Sequence, residues 1–122
     1  MNNLNYKDQE PKKEIFIGQG VTYSIGCDCY PYSIINISGD IVTIQRDNYK
    51  PTANSDYYNN QKYVYYANPE GATESIKLYP EKNGDMRWIR VYKNEKTGRW
   101  NKGSRCGFFN IGHRRYYQDP SF

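Results

Sequence analysis

Residues 32–45 read YSIINISGDIVTIQ and contain the strongest structural signal in the chain. Two runs rich in β-branched residues, Tyr32–Ile37 and Ile41–Gln45, flank a short linker centred on Gly39. β-Branched side chains favour strands, and a glycine between two such runs permits the tight turn of a hairpin. The pattern therefore predicts two antiparallel strands joined at Gly39.

Further strand-like runs lie on both sides of this hairpin. They occupy Glu14–Ile17, Val21–Ile25, Lys62–Tyr66, Glu74–Tyr79, Met86–Lys93 and Cys106–Ile111. Ten glycines and six prolines interrupt the 122 residues too often for long helices. We expect a mainly β fold, a single small domain built as an antiparallel meander of about seven to nine strands, with at most one or two short helices. The polar segment 47–61 is the predicted position of a short helix.

The chain divides by composition into an arm and one domain. Residues 1–13 are polar and include Pro11 and a lysine pair, so we expect a flexible or partner-docked arm. Residues 14–122 form the predicted β-rich ligand-binding domain. No segment has the pattern of a signal peptide or the length of a membrane helix, and three cysteines do not suit a disulfide framework. These features favour the cytoplasm and reduced thiols.

Charge and aromatic content favour a small anionic partner. The formal net charge is +4, and the lysines and arginines are dispersed along the chain rather than gathered in one dense stripe. Fourteen tyrosines suit a binding surface or an oligomer interface. The alternative is that tyrosine simply supplies residues with a high strand propensity.

The cysteines and the histidine give little indication of metal binding or catalysis. Cys27, Cys29, Cys106 and His113 are the candidate zinc ligands, but one intervening residue between Cys27 and Cys29 makes a poor tetrahedral clip. His113 is the only histidine, and it is followed by two arginines, so the sequence around it does not indicate a catalytic base. No phosphate-cradling G-x-x-x-x-G-K-[ST] motif occurs. We therefore expect no metal, no cofactor and no catalytic site.

The C-terminal segment carries the chemistry of a nucleotide pocket. Guanidinium groups form planar contacts with phosphates, aromatic rings stack on bases, and an amide bonds a base edge or a ribose hydroxyl. The candidate ligand-binding residues in this segment are Arg105, Phe108, Asn110, Arg114, Arg115 and Tyr116. Trp88 and Arg90 alternate along a predicted strand and offer a second aromatic and cationic face. The alternative is a solvated basic tail with two core phenylalanines.

The C-terminal segment has an apolar end, which predicts that this end docks back on the domain or on a second subunit. Arg114 and Arg115 are adjacent on an extended stretch, so their side chains point to opposite faces. We expect one of them to meet a ligand and the other to pair with an acidic group or line an interface.

The chain resembles a family of small phage proteins, the Thoeris anti-defence family of the first type. The residues that carry the resemblance lie between Gly18 and Phe122. They are 28–35 (DCYPYSII), 42–47 (VTIQRD), Arg99-Trp100, 103–105 (GSR) and 111–122 (IGHRRYYQDPSF). The terminal string is the most specific part, and the arm 1–13 lies outside the resemblance.

The resemblance implies a signal sponge rather than an enzyme. Such proteins bind a cyclic ADP-ribose isomer, here glycocyclic ADP-ribose, in the host cytoplasm, keep it intact, and so block activation of the Thoeris immune effector. They are homo-oligomers, dimers or hexamers, with a pocket shared between two protomers, and some hold cyclic oligonucleotides at separate sites. The resemblance adds Tyr30 to the candidate ligand-binding residues. The alternative functions are a single-stranded nucleic-acid or other nucleotide-binding module, an enzyme that degrades the signal, and a virion protein.

Overall fold

The computed structural model describes residues 14–120, and these residues form nine strands and no helix. The strands are β1 Gly20–Ile25, β2 Asp28–Ser38, β3 Ile41–Arg46, β4 Asn48–Pro51, β5 Tyr63–Tyr66, β6 Thr73–Pro80, β7 Met86–Lys93, β8 Trp100–Lys102 and β9 Phe108–Ile111. The predicted mainly β fold is confirmed. The predicted arm 1–13 lies outside the described residues. No helix long and apolar enough to cross a membrane is present in residues 14–120.

Seven of the strands form one antiparallel sheet in the order β8-β7-β6-β3-β2-β1-β9. The chain meanders through this sheet except at β9, which returns to pair with the free edge of β1. Strands β4 and β5 form a separate two-stranded sheet. The large sheet curls strongly, and this curl brings β7 close to β9, the strand at the far edge of the sheet. This curl brings the beginnings of β7 and β9 together and creates the grooves described below.

The hairpin at Gly39 forms as the sequence predicts. Strands β2 and β3 pair from Tyr32 with Arg46 to Ser38 with Ile41, and the register shifts once between Ile34 and Asn36. The shift is a bulge that turns the end of β2, because one extra residue has no partner on β3.

The core fills the inside of the curl. Its buried members come from alternate positions of β1, β2, β3, β6 and β9, as strand periodicity requires. They are Val21, Tyr23, Tyr32, Ile34, Val42, Ile44, Ile76, Phe109 and Ile111. Trp88 of β7 packs against this cluster, whereas Ile89 and Val91 of the same strand are buried on its other face.

Two of the predicted elements are wrong. Glu14–Ile17 is not a strand, because none of the strands within residues 14–120 pairs with it, and Phe16 and Ile17 are more than half exposed. The segment 47–61 holds no helix. It begins with β4, which pairs with β5, and continues through turns held by bonds such as those between Asp56 and Asn60.

Candidate ligand-binding grooves

The nine sequence-predicted site residues do not meet at one place on the chain. Arg105 and Phe108 lie in a basic groove, and Trp88 and Asn110 lie in a neighbouring apolar groove. Tyr30 and Tyr116 belong to an aromatic cluster, and Arg90 lies in the interior. Arg114 and Arg115 lie in the C-terminal segment.

The basic groove is a cavity of about 840 Å³ between the β6–β7 turn and the segment that enters β9. Four cations and two carboxylates line it, so its local charge is positive. The cations are Lys82, Arg87, Lys102 and Arg105, and the carboxylates are Glu81 and Asp85. Phe108 forms its aromatic wall with 57% of its surface exposed. An exposed ring among cations is suited to a ligand that combines a planar group, which stacks on the ring, with a separate anionic group, which pairs with the cations.

Arg87 braces this groove. Its Nη2 donates to the carbonyl oxygens of Arg105 and Gly107, the latter at 2.6 Å. The guanidinium carbon lies 4.3 Å from the centre of the Phe108 ring. The guanidinium of Arg87 therefore holds the loop before β9 through Nη2 while its planar face lies against the aromatic wall, a combination that an ammonium group does not match.

Arg105 and Lys102 are exposed cations of this groove. Arg105 pairs with Glu81 through Nη2 and Oε2 at 2.5 Å, yet half of its side chain is exposed. The same carboxylate lies 3.6 Å from Nη1 of Arg87. Lys102 lies 4.5 Å from the ring centre of Tyr79. Glu81 therefore orients Arg105 and at the same time offsets part of its charge.

Gly107 permits the loop to approach the core. Its φ is +75°, and a Cβ there would lie 2.5 Å from the Tyr23 ring and 2.7 Å from the carbonyl oxygen of Ser24. A side chain at this position meets both backbone strain and a clash. The glycine that the sequence places between Arg105 and Phe108 is thus required by geometry.

The apolar groove is a cavity of about 760 Å³ that adjoins the basic groove. Its lining residues are Ile15, Leu78, Met86, Trp88, Phe109, Asn110, Ile111 and His113. Met86, which is 55% exposed, lines both grooves. Asn110 and His113 supply the polar groups.

Arg90 lines neither the basic nor the apolar groove and reaches into the inside of the curl. Its Nε donates to Oε1 of Glu74 at 2.6 Å, and its guanidinium lies 4.7 Å from the Tyr23 ring centre and 5.1 Å from that of Phe109. Burial by itself lowers the pKa of Arg90, but the hydrogen bonds and charge interactions with Glu74 and Tyr23 together outweigh it and hold the pKa above its ordinary value. This side chain is a charged part of the core.

Arg114 and Arg115 have different environments, as predicted. Arg114 contacts Asp47 and Ser33 through Nε, and its Nη2 donates to the carbonyl oxygen of Gly18 at 2.6 Å. Arg115 is exposed, and its guanidinium lies 5.4 Å from the Tyr117 ring centre. The expectation that one of the pair meets an acidic group is confirmed for Arg114.

Tyr116 and Tyr30 belong to an aromatic cluster that docks the C-terminal segment. Tyr116 stacks on Tyr49 at 3.8 Å between ring centres and contacts Tyr63 and Tyr30 edge-on at 4.9 and 6.0 Å. Its backbone N–H donates to the hydroxyl oxygen of Tyr65 at 2.7 Å. Burial and the hydrogen bond with Tyr49 raise the pKa of Tyr116 above its usual value.

The backbone of the same segment continues this docking. Cys29 and Tyr117 exchange two backbone hydrogen bonds of 2.8 and 2.9 Å. The side-chain amide of Gln61 donates to the carbonyl oxygen of Gln118 and accepts from its N–H. The prediction that the C-terminal segment docks on the domain is therefore confirmed as far as Asp119, whose N–H donates to Asp28.

The cysteines form no shared site. Cys27, Cys29 and Cys106 are free thiols, and within residues 14–120 no three His, Cys, Asp or Glu side chains lie close enough to hold a metal ion. Hydrogen bonding to Asp119 raises the pKa of the exposed Cys27 thiol.

Compared with protein-family models, with curated proteins and with solved structures, the chain matches none of them. The grooves themselves are therefore the basis for a functional assignment. Lys102, Glu81 and the bracing role of Arg87 are parts of the site that the sequence pattern does not indicate. The alternation along β7 places Arg87 opposite Trp88, but only the curl of the sheet brings it to the segment before β9.

Proposed function

We propose that this protein binds and sequesters a small phosphate-bearing signalling nucleotide without cleaving it. The ligand class is a cyclic ADP-ribose isomer, with glycocyclic ADP-ribose as the specific candidate. By withholding this signal in the host cytoplasm, the protein blocks activation of the Thoeris immune effector. The observation that carries the proposal is the basic groove, in which exposed Phe108 lies among Lys102, Arg105 and the Arg87 brace.

The size and charge of the basic groove support a nucleotide with two phosphates. Its volume of about 840 Å³ falls near the upper end of the roughly 300–1,000 Å³ typical of small-molecule sites. Its four cations exceed its two carboxylates by two, which matches a dianion. A pyrophosphate accepts the planar contacts of Arg105, while the ammonium of Lys102 adds a point charge.

The exposed apolar residues around the groove support self-association. Phe108 and Met86 are each more than half exposed at its walls, and Phe16 and Ile17 are similarly exposed elsewhere on the chain. We propose a homodimer, with a hexamer as the larger assembly, in which a second copy covers this surface and encloses the ligand. A monomeric mass by light scattering at micromolar concentration contradicts this part of the proposal.

Calorimetric titration with a cyclic ADP-ribose isomer tests binding. We expect nanomolar affinity, about −12 kcal/mol, because a sponge must compete with a sensitive receptor. Arg105→Ala weakens binding, whereas Arg99→Ala, which removes the same charge from an exposed position in the β7–β8 turn, does not. Equal affinity of both variants and the parent protein contradicts the basic groove as the site.

Recovery of the ligand separates sequestration from turnover. The complex is denatured by heat, and the released nucleotide is compared with the starting ligand by ion-exchange chromatography. Intact ligand supports a sponge, and a cleaved product shows an enzyme. The salt dependence of the binding constant distinguishes this proposal from a module that binds single-stranded nucleic acid. The binding constant of a two-phosphate ligand falls slowly with salt concentration, whereas that of a long single strand falls steeply.

A further inference from the structure

The basic and apolar grooves adjoin at the beginnings of β7 and β9. Met86 lines both of them, and the consecutive β9 residues Phe108 and Phe109 line one groove each. Phe108 and Asn110 are two residues apart on this strand, which corresponds to about 7 Å. A ligand that lies across Met86 therefore contacts both grooves at once.

The apolar groove offers the two contacts that a nucleobase needs. The Trp88 indole, Met86 and Phe109 provide apolar surface, and base–aromatic stacking is favourable for any base. Among residues 14–120, no hydrogen bond engages the side chain of Asn110, which is exposed beside these residues. Its amide therefore has a donor and an acceptor available.

A free asparagine amide discriminates between the two purines. Asparagine pairs bidentately with adenine, donating to N7 and accepting from the N6 amine. Guanine presents two acceptors, N7 and O6, on the same edge, so the amide carbonyl meets another acceptor. A site that reads a base with Asn110 prefers adenine.

We infer that the two grooves form one bipartite site for an adenine nucleotide, with the phosphates in the basic groove and the base in the apolar groove. Asn110 is the specificity-determining residue, and Met86 separates the two halves. The inference rests on the proposed function, since it takes the same adenine-containing ligand and adds the position of the base and the residue that recognises it.

Trp88 provides a built-in reporter of the base. The chain has two tryptophans, so Trp100→Phe leaves Trp88 as the sole indole. In this background we expect the cyclic ADP-ribose isomer and ADP to quench Trp88 fluorescence. Inorganic pyrophosphate should compete with both ligands without quenching, because it fills the basic groove alone. Binding of the isomer without a change in Trp88 emission overturns the inference and leaves the proposed function standing.

Competition between nucleotides tests the role of Asn110. We expect ADP to displace the isomer at about 5- to 150-fold lower concentration than GDP, the discrimination of one good bidentate contact. Asn110→Ala should remove this preference and leave pyrophosphate competition intact. The matched control Asn101→Ala, exposed on β8 outside both grooves, should keep the preference.

The outcomes separate the two proposals. Equal competition by ADP and GDP in the parent protein overturns the adenine assignment, and so does a preference that persists in Asn110→Ala. Absence of binding by the isomer, ADP and pyrophosphate alike contradicts the proposed function itself.

Discussion

Arg114 donates from Nε to Oδ2 of Asp47 at 2.9 Å, and only 4% of Asp47 is exposed. Ser33 joins the pair, because its hydroxyl donates to Oδ1 of Asp47 at 2.7 Å and accepts from Arg114. This contact joins the C-terminal segment to β2 and to the residue between β3 and β4. It holds in place the segment that carries Arg115 and Tyr116.

Arg114→Ala should destabilise the protein strongly. The variant leaves the Asp47 carboxylate buried without its cation, which costs about 3–5 kcal/mol when both partners are buried. We expect about 2–4 kcal/mol because the guanidinium is about one-third exposed and partly screened by solvent. Denaturant unfolding measures the change in the free energy of unfolding.

Arg115→Ala is the matched control for this prediction. It removes the same charge from the neighbouring, exposed position, so we expect a change within about 0.5 kcal/mol. Equal stability of the two variants would show that the Asp47 contact contributes little.

Local features of the fold were predictable from the sequence. The hairpin at Gly39 depends on residues within one short stretch, and the unlike environments of Arg114 and Arg115 follow from strand-like alternation. Which arginine meets an acid was not predictable, since Asp47 lies 67 residues away along the chain.

The candidate site was less predictable because long-range pairing creates it. Aromatic and basic residues interleave between Arg105 and Tyr117, yet β9 pairs with β1 while Tyr116 docks against β4 and β5. These pairings separate Phe108 from Tyr116 although both suit a base. The same non-local contacts place Arg90 against Glu74 in the interior.

Arg87→Lys should loosen the basic groove although it keeps the charge. Lysine cannot reproduce the planar guanidinium, which donates from Nη2 to the carbonyl oxygens of Arg105 and Gly107 while it lies against the Phe108 ring. We expect a loss of about 1.5–3 kcal/mol in unfolding free energy, the value of a hydrogen bond to a charged group. Faster amide hydrogen exchange at residues 105–108 is the accompanying measurement. Exchange as slow as in the parent protein would contradict the bracing role.

Gly107→Ala should destabilise the protein more than Gly98→Ala. Both glycines have positive φ, +75° and +73°, so an alanine at either position costs about 1–2 kcal/mol in backbone strain. A Cβ at Gly98 meets nothing within 4 Å, whereas one at Gly107 meets the Tyr23 ring and the Ser24 carbonyl oxygen. The two melting temperatures give the comparison, and equal values would show that the loop before β9 moves away freely.

Tyr116 should make the protein sensitive to alkali. Its folded-state pKa is raised by burial, so the folded protein holds the phenol proton more tightly than the unfolded chain. The stabilisation is fully present below the usual tyrosine pKa of 10.0 and is lost as the pH rises above it. Unfolding free energy measured against pH should therefore fall above about pH 10. The unfolding free energy of Tyr116→Phe should fall less steeply with pH. That of Tyr58→Phe, altered at a residue that is 75% exposed, should follow the curve of the parent protein.

Glu81→Gln should tighten binding of anions in the basic groove. Glu81 contacts Arg105 directly and lies 3.6 Å from Arg87, so its carboxylate competes with a bound phosphate for both guanidinium groups. Glutamine keeps an acceptor that orients Arg105 but removes the negative charge. An ion pair near the surface contributes about 0.2–1 kcal/mol, which predicts about 1.4- to 5-fold tighter binding of inorganic pyrophosphate.

Asp85→Asn is the control that separates the loss of a negative charge from the loss of the direct contacts that Glu81 makes with Arg105 and Arg87. It removes one negative charge from the lining of the same groove, but Asp85 forms no ion pair with Arg87 or Arg105 within the described chain, so we expect a smaller gain. Calorimetry at two salt concentrations measures both variants, and the gain at Glu81 should shrink at the higher one because salt screens exposed charges. Weaker binding by Glu81→Gln would instead show that the carboxylate acts mainly by positioning Arg105, since the loss of that orientation would then outweigh the gain in positive charge.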